Sequence, residues 1–209
     1  ESIYIIGSPD MDAMLSKDLP TIDEVKNNYE INFEKYAVSM FHPVTTEYDT
    51  MDEYANEYIK ALEESNLNYI IIYPNNDKGS EFILNKIKRV EQNNKFRIFP
   101  SVRFEAFLVL LKNAQFIIGN SSAGIREAPY YGIPTVNVGT RQNGRTSNPD
   151  IINTTYNSTS IINAIQEAKV KKVTPRHLFG DGKSDEKFYQ IIASKELWNT
   201  PKQKIFSDF

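Results

Sequence analysis

The segment Gly119-Asn120-Ser121-Ser122-Ala123-Gly124 follows an apolar run and precedes helical spacing. Glycine and small hydroxyl residues at a strand-to-helix turn expose backbone N–H groups. With the positive end of a helix dipole, those donors suit a phosphate. Ser121 and Ser122 add hydroxyl donors, or one of them simply caps the helix. The segment has neither the Gly-Lys-Ser/Thr ending of a P-loop nor the Gly-x-Gly-x-x-Gly fingerprint. Glu127 comes a few residues later. Its carboxylate suits two ribose hydroxyls beside a phosphate. Taken alone, it suits the helix N terminus better, or a capping box with Gly124 as N-cap. His42 ends an apolar run and precedes Pro43, which favours an extended backbone. Its ordinary pKa fits general acid–base work, although a lone histidine is more often a structural hydrogen bonder. Arg141 and Arg145 flank Gln142-Asn143-Gly144 and suit bidentate anion binding or a solvated loop. His177 and the Lys169, Lys171 and Lys172 run are assigned no function.

These residues need a frame to bring them together. Branched and aromatic runs occur at 36–41, 69–73, 96–99, 115–118 and 135–138, with a weaker one at 151–155. Helical spacing fills 51–65, 81–93, 104–112, 122–131, 160–168 and 185–194. Alternation of the two periods predicts parallel strands joined by right-handed helical crossovers. The fold class is therefore α/β: a doubly wound parallel sheet of about six strands, a usual sheet size. Ligands of such sheets sit at the carboxyl ends of the strands. His42, Asn75, Ser121 and Arg141 each follow a predicted strand and are expected at one edge. The polar, cationic connection 139–149 is long for a compact domain, which favours a functional loop.

Composition sets the bounds. The 209 residues carry 24 Lys+Arg against 27 Asp+Glu, a formal net charge of -3 that does not favour nucleic acid. No run approaches the roughly 18 apolar residues of a membrane span. With no cysteine, a disulfide scaffold, a thiolate metal site and a cysteine nucleophile are excluded. The absence of a signal-peptide pattern makes the cytoplasm the default expectation. Glu1 opens inside an apolar run without an initiator Met, so a piece of a longer protein is expected.

Taken together, His42-Pro43-Val44-Thr45-Thr46-Glu47, the block from Gly119 to Ala128 and the block from Gly132 to Arg145 resemble the hydrolysing UDP-N-acetylglucosamine 2-epimerases. Gly7-Ser8-Pro9-Asp10-Met11-Asp12-Ala13 and Phe179-Gly180-Asp181-Gly182 also fit. The resemblance covers nearly the whole chain and is most specific over 119–145. It points to the branch that makes N-acetylmannosamine for sialic acid, or to a relative acting on a diacetamido sugar. It implies one half of a GT-B fold: a Rossmann-like C-terminal domain at 21–209, including a terminal return helix. Residues 1–20 would be the interdomain crossing, and the N-terminal domain is absent from this chain.

The implied reaction eliminates UDP to a 2-acetamidoglucal and then adds water, with no metal and no nicotinamide cofactor. The resemblance assigns Ser121 and Ser122 to the diphosphate, Glu127 to the ribose hydroxyls, Phe107 and Val102 to the uracil, and Arg141 to the diphosphate or its leaving oxygen. His42 matches the family's active-site histidine. The carboxylates that move the C2 proton belong to the missing domain. Implied partners are a UDP-sugar, that domain and a second copy in a homo-oligomer. Non-hydrolysing bacterial relatives carry a histidine, linked to activation by substrate, in the loop corresponding to 74–80. Here the loop reads Pro-Asn-Asn-Asp-Lys-Gly-Ser, a departure that argues against such activation. Two other readings of the residues stand beside this one: a GT-B glycosyltransferase domain and a non-catalytic UDP-binding module.

Overall fold

Tyr69–Ile72 reads Tyr-Ile-Ile-Ile and is buried at every position, as a strand covered on both faces must be. The computed structural model describes residues 3–203. In chain order its elements are α1 (Pro9–Met14), α2 (Ile22–Asn28), β1 (Ala37–Met40), α3 (Met51–Glu64), β2 (Tyr69–Ile72), α4 (Ser80–Arg89), β3 (Phe96–Phe99), α5 (Phe104–Lys112), β4 (Ile117–Gly119), α6 (Glu127–Tyr131), β5 (Thr135–Val138), β6 (Ile151–Thr154), α7 (Ser158–Val170), α8 (Ser184–Ala193) and α9 (Lys195–Trp198). Two short 3-10 turns, Thr45–Thr50 and Ser122–Gly124, complete the set.

The chain divides into two units. Leu19–Arg176 forms the larger one; the smaller joins the segment up to Asp18 to the segment from His177. The larger unit is built on one six-stranded sheet of order β3-β2-β1-β4-β5-β6, with every neighbouring pair parallel. Val38 of β1 lies opposite Ile70 of β2 and Ile117 of β4, so β1 is central. The chain winds outward from β1 to β3, returns to β4 beside β1, and winds out the other way to β6. That reversal makes the β1–β4 crevice the switch point at which doubly wound sheets bind ligands. Helices α3, α4 and α7 close one face over Ala37, Tyr69, Ile71, Phe116, Ile118, Val136 and Val138. The alternate strand positions Val38, Ile70 and Ile117 point the other way. On that side α5, buried at most positions, packs with α2 and α6. Each large apolar side chain so buried contributes about 1.5–3 kcal/mol.

The predicted α/β, doubly wound, all-parallel sheet is thus the observed one, with strand ends shifted by a residue or two. In the small unit, α1 packs with α8, and α8 with α9. Residues 3–20 contain no strand. Two helices went unpredicted at the front, although Thr21 and Glu24 carry the capping box that starts α2.

One predicted element is corrected. The helix expected over 122–131 is broken into the 3-10 turn Ser122–Gly124 and the five-residue α6. Pro129 explains the break: it has no N–H to give to residue 125, and its ring crowds that carbonyl. Gly124 also presses on Thr135, where a Cβ would stand 2.6 Å from Cγ2. The dipole of a long helix is therefore not aimed at this loop.

Candidate functional site

The six predicted site positions after strands, and Phe107 on α5, all belong to the larger unit. The structure sorts them into two adjoining groups. Val102, Phe107, Ser122 and Glu127 line one cavity of about 280 Å³ together with Met40, Ile72, Phe104 and Ala123. Its wall is mainly apolar, with the Glu127 carboxylate and the Ser122 hydroxyl as its polar features. Glu127 is the first residue of α6 and only 7 % exposed. Such a cavity suits a flat apolar ring with hydroxyls at one end.

The second group stands at the β1–β4 switch point. Gly119, at φ +131°, ends β4 so close to β1 that a Cβ would fall 2.0 Å from the Met40 carbonyl oxygen. No other residue fits there, and the approach brings Asn120 against His42. Asn120 is fully buried. Its Oδ1 accepts from the His42 backbone N–H at 2.7 Å, and its Nδ2 donates to the His42 carbonyl at 2.8 Å. The Asn120 carbonyl accepts from Arg141 Nη1 at 3.2 Å and from Gln142 Nε2 at 2.8 Å. One residue therefore ties the β1, β4 and β5 tips together.

His42 is 9 % exposed, and its Nδ1 accepts the Asn75 backbone N–H at 3.0 Å. With Nδ1 occupied as an acceptor, the ring proton of the neutral form lies on Nε2. Burial, joined by the Arg141 cation and opposed by Asp77, pushes the imidazole pKa down to about 4. The geometry thus equips His42 to donate a hydrogen bond from Nε2 rather than to take up a proton near neutral pH. Burial, then Arg145, lowers the Arg141 pKa, again against Asp77. Among the described residues Arg141 has no carboxylate within salt-bridge distance, so a bound anion would relieve its charge.

Ser121 links the two groups. Its Oγ accepts from the Ala123 N–H at 3.3 Å, capping the 3-10 turn. The capping role weighed for Ser121 from sequence is therefore present; its hydroxyl proton is still a donor. Asn120 and Gln142 were missed by sequence reasoning. A polar residue directly after a strand-ending glycine was the available signal for Asn120. Gln142, 3 % exposed, looked like any residue of a polar loop. Among the described residues no group of three His, Asp or Glu side chains is placed to share a metal ion, and no helix is long and apolar enough to cross a membrane.

The sequence is 51 % identical over 210 residues to a UDP-N-acetylglucosamine 2-epimerase of Neisseria meningitidis serogroup B, covering 99 % of this chain and 55 % of that protein. It is 30 % identical to a UDP-N,N'-diacetylbacillosamine 2-epimerase (hydrolyzing) of Legionella pneumophila, covering 94 % of this chain and 53 % of that protein. The chain thus spans about half the length of the curated relatives it matches. In fold it is similar to the crystal structure of Methanocaldococcus jannaschii UDP-GlcNAc 2-epimerase in complex with UDP-GlcNAc and UDP. That match has a TM-score of 0.72 at 22 % identity and covers 91 % of this chain and 54 % of the other. The sheet is accordingly that of one half of a GT-B fold. The model of the UDP-N-acetylglucosamine 2-epimerase family matches residues 1–193, and the chain belongs to that family.

Proposed function

We propose that this chain is the nucleotide-binding half of a hydrolysing UDP-N-acetylglucosamine 2-epimerase. The observation that carries the reading is the cavity shared by Val102, Phe107, Ser122 and Glu127, opening beside the His42–Arg141 cluster. Uracil would lie on Phe107 and Val102, and the ribose diol would meet Glu127. The diphosphate would meet Ser121, Ser122 and Arg141. The sugar would then extend toward His42, whose Nε2–H would hold an oxygen of the substrate and steady charge on the departing UDP. This chain's residues would bind and orient the leaving group, while carboxylates of the other half would move the C2 proton. The glucal so formed would take up water to give N-acetylmannosamine.

The hydrolysing type is supported by the similarity to the Legionella pneumophila protein, and the sialic-acid branch by 30 % identity over 195 residues to the polysialic acid biosynthesis protein P7 of Escherichia coli. A cytoplasmic, homo-oligomeric enzyme is the setting we propose. Residues 1–20 would cross to the absent N-terminal domain, and the end of 21–209 would return to it. Exposed apolar side chains in the small unit favour this arrangement: Ile3 and Ile5 at the front, and Phe188, Tyr189 and Trp198 on α8 and α9.

The test is incubation with UDP-N-acetylglucosamine, followed by detection of UDP and N-acetylmannosamine. This chain alone is expected to release neither, since an open half-site cannot exclude water. Joined to the preceding domain, it should release both without an acceptor. Release by the chain alone would contradict the division of labour. Release dependent on a sugar acceptor would favour a glycosyltransferase.

A further inference from the structure

Glu47 lies five residues beyond His42, in the 3-10 turn Thr45–Thr50. Its two carboxylate oxygens accept from two distant hydroxyls: Thr140 Oγ1, and Tyr156 Oη at 2.7 Å. The Tyr156 hydroxyl also accepts the Thr140 backbone N–H at 3.3 Å, which closes a ring of three residues. Tyr156 is itself firmly held. Its ring stacks on Tyr54 with centroids 3.8 Å apart at 6°, and lies edge-on to Phe41 at 6.2 Å. Gly139, at φ +77°, runs so close to that ring that a Cβ would fall 2.0 Å from Cζ. Burial, with Glu47 as acceptor, raises the phenol pKa to about 12, so Tyr156 stays a proton donor across the physiological range.

The corner Gly139-Thr140 leads directly into Arg141. Nothing about a polar loop requires two hydroxyls from separate strand ends to meet one carboxylate. The arrangement fixes the backbone immediately before the guanidinium, while Asn120 holds the guanidinium's far side. We propose that Glu47 is a positioning residue: by clamping Thr140 to Tyr156 it sets the Arg141 guanidinium at the place of the second phosphate, and so sets the preference for a nucleoside diphosphate over a monophosphate. The inference rests on the reading that Arg141 meets the diphosphate. A purely structural staple would act differently, lowering affinity for every ligand alike or only the stability of the fold.

The experiment is calorimetric titration of this chain and its variants with UDP, UMP and uridine. Glu47→Ala and Thr140→Val should lower the UDP-over-UMP affinity ratio by roughly five- to tenfold while UMP and uridine stay within about twofold, the scale of one misplaced charge-assisted contact. Glu47→Gln should fall between, because its amide oxygen still accepts one hydroxyl. An unchanged ratio in both Glu47→Ala and Thr140→Val overturns the proposal, and so does an equal loss of UDP and UMP. If Glu47→Ala does not fold, Thr140→Val, which alters a single exposed hydroxyl, decides the matter alone. A parent chain that binds UDP no better than UMP removes the diphosphate reading itself and the proposal with it.

Discussion

Glu127 and His42 are both buried polar residues, and burial gives each a measurable signature. A carboxylate that receives two ribose hydroxyls in a partly apolar cavity makes two charge-assisted bonds. With the ribose contact proposed for Glu127, Glu127→Ala should weaken UDP binding by about 2–3 kcal/mol, the range for bonds to charged groups, and Glu127→Gln by less. Calorimetry checks this; parental affinity in both variants would reduce Glu127 to a charge at the start of α6. His42 titrates at 6.5 when free and near 4 in the fold, held down first by burial and then by Arg141. Between those values the folded state binds fewer protons than the unfolded one. Its contribution to stability is thus whole above about pH 6.5 and is lost as pH falls toward 4. Urea midpoints should fall more steeply across that window in the parent than in His42→Gln. Equal slopes would mean that His42 titrates normally, and the neutral Nε2–H donor assigned to it would fail.

The β1–β4 junction holds the candidate site together because one asparagine replaces ladder bonds where the two strands end. Asn120→Ala leaves the His42 N–H and C=O buried without their partners, and should destabilise the fold by about 3 kcal/mol, at roughly 1–3 for each orphaned group. Chemical unfolding measures the loss; a change under about 0.5 kcal/mol, the usual effect of a surface substitution, would mean that the paired amide bonds do not hold the tips. The strands and most helices could be read from the sequence because branched runs such as Tyr69–Ile72 and stripes such as Tyr58, Ile59 and Leu62 have strong periods. The break before α6 was also written there, in Pro129 and Gly124, but the apolar spacing of 122–131 masked it. Asn120 and the Glu47 clamp were not legible. Their partners lie 78 and 109 positions away, and no local pattern records such a pairing. His42 could be placed at the sheet edge from sequence, but its tautomer depends on the Asn75 backbone N–H and required the structure.

At the scale of the molecule, a chain that spans about half the length of its relatives holds both the cavity and the Arg141 cation of the candidate site within one unit. Under the proposed function, that distribution predicts a chain able to bind UDP by itself while depending on a second domain for turnover. Binding should be weak, because the ligand stays partly in water and its charged contacts are screened. The most direct measurement is an amide chemical-shift map of this chain titrated with UDP. Saturable shifts are expected at Val102, Phe107, Ser121, Ser122, Glu127 and Arg141, with His42 and the 139–145 loop responding more to UDP than to uridine. Saturable binding mapped to another face, or no shift at millimolar UDP, would contradict it.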